Sequence, residues 1–257
     1  MAAAIEARGL GKRYESVTLG PVRAHEALER ALRSPLAALR SAVRGGARTP
    51  SPHIWALRDV SFTVSPGEIV GVLGRNGAGK SVLLRILSRV TRPTEGSVTV
   101  RGTVAPLLEV GAGFHHELTG RDNIFLNGTI LGMRHAEIAR RVPEIVEFAD
   151  IGDLLDAPVK TYSSGNRMRL AFSVAAHLER DIYLLDEVLA VGDEAFQVRC
   201  LGRVEELAAN GKTIFMVNHS ADVIRGFCNR ALLLHHGRLL ADGTPDALVD
   251  QYHGMAD

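Results

Sequence analysis

The sequence predicts an α/β fold built on a mostly parallel sheet. Apolar runs of strand length alternate with longer helical stretches, the order that feeds parallel strands. Several of these runs are nearly continuous in Val, Ile and Leu, as strands buried on both faces require. A glycine-rich loop joins one such strand directly to a helical stretch. With 257 residues, 46% hydrophobic and 23% charged, the chain can bury a full core.

Taken in order, RDVSFTV (58–64) alternates polar and apolar residues like a half-buried strand. Ser65-Pro66-Gly67 is a turn, and EIVGVLG (68–74) is a short apolar strand. The glycine-rich loop and a helix over SVLLRILSRV (81–90) follow. Further helices are predicted at 134–150, 166–180 and 194–210. IYLLDE (182–187), TIFMVNH (213–219) and ALLLHH (231–236) read as buried strands. Segment 21–48 breaks the alternation. It carries six arginines against Glu26 and Glu29. Leu28, Leu32, Leu36, Leu39 and Val43 recur at helical spacing, and Pro35 would kink or split the helix. Two readings stay open: a surface helix or ordered insertion, or a basic amphipathic element on a membrane surface or membrane partner. Gly45-Gly46, Pro50 and Pro52 mark a return to the core.

Lys+Arg is 30 and Asp+Glu is 29, a net charge of +1, so global charge gives no nucleic-acid footprint. Cys200 and Cys228 are the two cysteines, too few for a disulfide scaffold and suited to a reducing compartment. No apolar run approaches the roughly 18–20 residues that span a bilayer. Glu6 and Arg8 stand where a signal peptide would be apolar. A cytosolic protein is expected.

Residues 74–81 read GRNGAGKS, a match to G-x-x-x-x-G-K-[ST] between a strand and a helix. Here Gly74, Arg75, Asn76, Gly77, Ala78, Gly79, Lys80 and Ser81 form a candidate phosphate cradle. The glycines let the backbone approach phosphate oxygens, and the helix N-terminus points at the anion. Lys80, one of only four lysines, would reach the β- and γ-phosphates, and Ser81 would bind Mg²⁺. Asp186 closes an apolar strand and is a second candidate Mg²⁺ ligand. Glu187, just past it, is placed to orient an attacking water. His219 ends another strand at the same sheet edge, in reach of the γ-phosphate.

These residues, together with YSSGN (162–166) before the helical RMRLAFSVAAHLER, resemble the ATP-binding subunit of ABC transporters. YSSGN looks like a divergent LSGGQ signature: Ser163 and Gly165 keep their positions, while Ser164 and Asn166 depart from Gly and Gln. The resemblance implies a P-loop NTPase with a RecA-like core (about 1–105 and 179–240), a helical subdomain (about 106–178) and an N-terminal basic insertion (about 15–53). It implies ATP and Mg²⁺ as cofactors, and a head-to-tail homodimer in which each ATP lies between one GRNGAGKS and the partner's YSSGN. In DEVLAVGD, Asp193 matches the D-loop aspartate. Tyr14, in LGKRYES, matches an adenine-stacking aromatic, with Trp55 as its competitor. Glu109 stands where most members have Gln, its carboxylate a candidate Mg²⁺ ligand. LLEVGAGFHHELTGRDNIFLNG, YSSGNRMRLAF and DEVLAVGDEAFQ are similar to the branch that exports O-antigen, teichoic acid, capsule or galactan. That branch implies a separate membrane permease, a lipid-linked glycan as cargo, no nucleic-acid partner, and a peripheral position at the cytoplasmic face of the membrane. The alternatives are an exporter ATPase for another cargo and a soluble, non-transport ABC-type ATPase.

Overall fold

The computed structural model describes residues 2–15, 53–108, 111, 113–186, 192–218 and 220–255. Segment 21–48, Glu109, Glu187 and His219 lie outside the described residues.

Among the described residues, two sheets enclose one helix. Strands β1 (Ile5–Glu15), β2 (His53–Val64) and β4 (Glu95–Val100) form an antiparallel sheet in the order β2-β1-β4. The larger sheet contains β3 (Ile69–Leu73), β5 (Val104–Leu107), β6 (Ile182–Asp186), β7 (Thr213–Val217), β8 (Arg230–His235) and β9 (Arg238–Gly243). Its order is β5-β6-β7-β3-β8-β9, parallel as far as β8 and antiparallel at β9.

The continuous apolar runs are explained by burial on both faces. In β7, Phe215 and Val217 join a core shared with helix α1 (Lys80–Leu87) and the antiparallel sheet, while Ile214 and Met216 join a second core. In β6, Ile182 and Leu184 divide from Tyr183 and Leu185 in the same way. Each fully buried side chain of this size contributes about 1.5–3 kcal/mol. Helix α1 fills the gap between the sheets with Leu83, Leu84, Ile86 and Leu87. The second core is covered by α2 (Gly120–Ile130), α3 (His135–Ala149), α4 (Ser164–Ala176), α5 (Glu194–Ala209), α6 (Ala221–Phe227) and α7 (Pro245–Gly254). Helices α2, α3 and α4 pack on one another. Cys200 and Cys228 are buried, unbridged thiols, each pushed up to about 12 by burial. No helix of the described residues is long and apolar enough to cross a membrane.

Two helices end earlier than their apolar patterns suggest. The helix expected over 81–90 stops at Leu87, because Arg89 takes the left-handed conformation (φ +62°). The helix expected over 166–180 runs 164–176. Arg180 beyond it instead donates to the Leu131 and Gly132 carbonyls at 3.2 and 2.9 Å, capping the end of α2.

Candidate functional site

The carboxyl ends of β3, β6 and β7 meet at one edge of the parallel sheet. Val72 is level with Val217, and Val217 with Asp186. The loop that follows β3, the Asp186 carboxylate and Asn218 therefore share that edge, where open α/β sheets bind ligands.

The loop 74–81 is closed on one side and open on the other. Gly79, the residue before α1, has φ +104°; a Cβ there would fall 2.4 Å from the Ala56 carbonyl oxygen and 2.7 Å from Leu57 Cδ2. Gly77, at φ +82°, has nothing among the described residues within 4 Å of where its Cβ would stand. Strand β2 thus backs the loop, and among the described residues the face beyond Gly77 is open. Arg75 and Ala78 close the turn through the Ala78 N–H to the Arg75 carbonyl, 3.0 Å. Lys80 is buried; its Nζ donates to the Gly74 carbonyl at 2.5 Å and the Arg75 carbonyl at 3.2 Å, arching back over the loop. Ser81 is exposed in the first turn of α1, which carries no acidic residue and so leaves the positive end of the helix uncompensated. Ala56 and residues 76–82 line a cavity of 310 Å³.

The donor set fits a phosphate with a hard cation. The loop's backbone N–H groups and the Lys80 ammonium are the donors that an anion requires. The Ser81 hydroxyl and the Asp186 carboxylate are the oxygen donors that Mg²⁺ prefers. Asp186 is the last residue of β6 and half-buried.

A second cavity, of 480 Å³, is lined by residues 163–166, Met168, Arg169, Gly192 and Asp193. Ser163 caps α4, its Oγ accepting from the Asn166 N–H at 3.0 Å, so Gly165 and Asn166 lie in the first helical turn. Asp193 caps α5 by accepting from the Phe196 N–H at 3.0 Å. That hydrogen bond, with the nearby Arg169 guanidinium, holds the Asp193 carboxyl below the usual range. Arg169 donates to Asp193, lies 3.7 Å from Asp150 and stands over the Phe196 ring. Arg169 belongs to none of the candidate sites predicted from the sequence. Its signal is a cation in the second turn of α4, just before the helix becomes wholly buried at Leu170.

The structure therefore groups the predicted residues into two places. The loop 74–81 and Asp186 stand at the sheet edge; Ser163, Gly165 and Asp193 stand together at the second cavity, which shares no lining residue with the first. The two candidate stacking rings occupy neighbouring rungs of the β1–β2 ladder. Tyr14 pairs with Ile54, is 42% exposed and has Lys12 Nζ 5.1 Å from its ring centre. Trp55 pairs with Arg13, is half-buried between Arg13 and Arg58, and adjoins Ala56 of the first cavity.

Comparison with known proteins adds to this geometry. The family described as ABC transporter matches residues 57–190. An ABC transporter protein of Aeromonas salmonicida, AbcA, is 49% identical over 200 residues, 78% of this chain and 65% of that protein. The O-antigen export system ATP-binding protein RfbB of Klebsiella pneumoniae is 45% identical over 197 residues, 77% of this chain and 80% of that protein. A dimeric ATP-binding cassette in a post-hydrolysis state, bound to ADP and Pi, shares the fold with a TM-score of 0.70 at 20% identity, over 94% of this chain and 98% of that one.

Proposed function

This chain belongs to the ABC transporter family, and from that premise we propose that it is the ATP-hydrolysing subunit of an exporter of lipid-linked polysaccharide. The observation that carries the reading is the pair of separate cavities, one at the loop 74–81 and one at the turn 163–166. Each is half of an anion site. Two copies paired head to tail set the loop of one against the turn of the other, twice over, and close with two-fold symmetry. The dimeric cassette of the same fold supports that pairing.

In this reading the backbone N–H groups of the loop and the N-terminus of α1 hold the phosphates of ATP. Lys80 turns from the Gly74 and Arg75 carbonyls toward the β- and γ-phosphates. Ser81 and Asp186 would hold Mg²⁺, with Glu109 as a further oxygen donor, and the ion would offset charge on the phosphate oxygens. One ring of the β1–β2 ladder, Tyr14 or its competitor Trp55, stacks on adenine. Glu187 orients the attacking water and takes its proton, and His219 contacts the γ-phosphate. Ser163, Gly165 and Asp193 of the second copy complete the enclosure. We assign the core to about 1–105 and 179–240 and the helical subdomain to about 106–178, and place the pair at the cytoplasmic face of the membrane, held by a separate permease. Segments near 109–123 pass the closing movement to that permease. The name of the Klebsiella pneumoniae relative supports a polysaccharide cargo.

Depleting the protein in its native host, while following lipid-linked glycans, tests the proposal. One polymer accumulating inside the cell and vanishing from the surface is expected. If no glycan changes, the polysaccharide assignment is wrong.

A further inference from the structure

We propose that Asn123 is a positioning residue, which makes the loop 115–119 and the turn 158–163 one unit and so sets where Ser163 stands. The inference rests on the proposed function for its catalytic readout only.

Asn123 is fully buried near the start of α2. Its Oδ1 accepts from the His115 N–H at 2.7 Å. Its Nδ2 donates to the carbonyls of His115 (3.0 Å), Leu118 (3.2 Å) and Thr119 (2.9 Å). These are the two ends of one loop. A primary amide is the side chain that offers both an acceptor and two N–H donors at this length. Asp lacks the donors, and an apolar residue would leave the buried polar groups without their partner.

The same loop is laddered to the segment that leads into Ser163. The Lys160 N–H donates to the His116 carbonyl and the Val159 N–H to the Leu118 carbonyl, both at 2.9 Å. Thr119 bridges Pro158, and Lys160 Nζ pairs with Glu117 at 2.6 Å. The Tyr162 N–H donates to the Val159 carbonyl at 3.0 Å, and Ser163 follows as the cap of α4. Tyr162 also rests on the first residue of α2: a Cβ on Gly120 would meet its hydroxyl at 2.1 Å. From Asn123 to Ser163 the connection is short, mostly main-chain and anchored at both ends. Displacement of the loop therefore displaces the turn. The exposed Glu117–Lys160 pair contributes little to this, since both partners are well solvated.

Amide hydrogen exchange on the full chain tests the proposal without nucleotide. Asn123→Asp keeps the acceptor and loses the three donations. Exchange at Val159, Lys160 and Asn166 is expected to accelerate about tenfold, with Met216 in β7 unchanged. Lys160→Gln, with the clamp intact, is expected to change the same amides less than about twofold. If Asn123→Asp does not fold, Asn123→Ser, which keeps one donor and one acceptor, is measured in its place. Acceleration confined to 115–119, equal acceleration in Lys160→Gln, or loss of protection at Met216 as well would each overturn the proposal. Turnover per nucleotide-binding site should fall about tenfold in Asn123→Asp, with ATP affinity of the loop 74–81 within about twofold of the parent. Unchanged turnover per site would overturn the positioning role. If the parent chain does not hydrolyse ATP, the proposed function fails while the exchange result still decides the clamp.

Discussion

Replacing Gly77 and Gly79 separately with alanine separates two reasons for a glycine in the loop 74–81. Both have positive φ, +82° and +104°, so either alanine meets a backbone penalty of about 1–2 kcal/mol. Only at Gly79 does the new methyl also collide, at 2.4 Å from the Ala56 carbonyl oxygen and 2.7 Å from Leu57 Cδ2. Overpacking of that kind costs about 1–3 kcal/mol more. Taking a middle value of about 2 kcal/mol, Gly79→Ala should melt roughly 4–8 °C below Gly77→Ala. Nucleotide affinity should show a different pattern. The Gly77 methyl projects into the open face where phosphate is proposed to lie, so Gly77→Ala should lose more affinity than Gly79→Ala relative to its loss of stability. Thermal melts of both variants, with and without ATP, read both effects. Equal melting temperatures would refute the argument that β2 backs the loop.

Three further outcomes follow from the same geometry. Lys80→Ala should weaken ATP binding about 10- to 150-fold, the loss of a charged hydrogen-bonding group worth about 1.5–3 kcal/mol; titration with a fluorescent nucleotide measures it, and parental affinity would remove Lys80 from the phosphate site. Glu187→Gln should keep ATP binding, slow hydrolysis strongly and accumulate a paired species on size-exclusion chromatography; unchanged turnover would remove Glu187 from the mechanism. His177 is buried beside Phe148, with Nδ1 2.7 Å from the Ser173 carbonyl. Burial holds its pKa below the ordinary 6.5. The unfolded chain then binds the proton more readily than the folded one. The stability from keeping this ring neutral is complete above pH 6.5 and is lost as pH falls from there toward the depressed folded value. Melting temperature against pH should be flatter over that window in His177→Gln than in the parent, and parallel curves would contradict the assignment.

The legible parts of this chain were those where one physical demand dominates the residues. Parallel strands buried on both faces must be apolar throughout, and β3, β6, β7 and β8 were read for that reason. The loop 74–81 was read because close approach to an anion demands glycines with a lysine at fixed spacing. Helix α2 was invisible to the same reasoning. Its buried face is made of Gly120, Asn123, Asn127 and Gly128 around a lone Ile124, so hydrophobic periodicity never develops. Its true start signal is the Thr119–Asp122 capping box, which lies inside a segment read as a motif. Strand β9 alternates half-buried and exposed residues at the sheet edge. It follows a two-residue turn, His236-Gly237, with both φ positive. Arg169 and Asn123 were missed because their importance lies in partners remote in sequence: Asp193 for the first, and through the loop 115–119 the turn 158–163 for the second.

The central claim is that one complete site needs the loop 74–81 of one copy and the turn 163–166 of another. Mixing two inactive variants tests it most directly. Lys80→Ala disables the loop, and Ser163→Arg disables the turn. In a mixed pair, one site combines the intact loop of the second variant with the intact turn of the first. Each variant alone should be inactive in a Mg²⁺-dependent ATPase assay, and an equal mixture should recover about a quarter of parental turnover, from half the pairs carrying one good site of two. A mixture as inactive as its components would contradict the shared site.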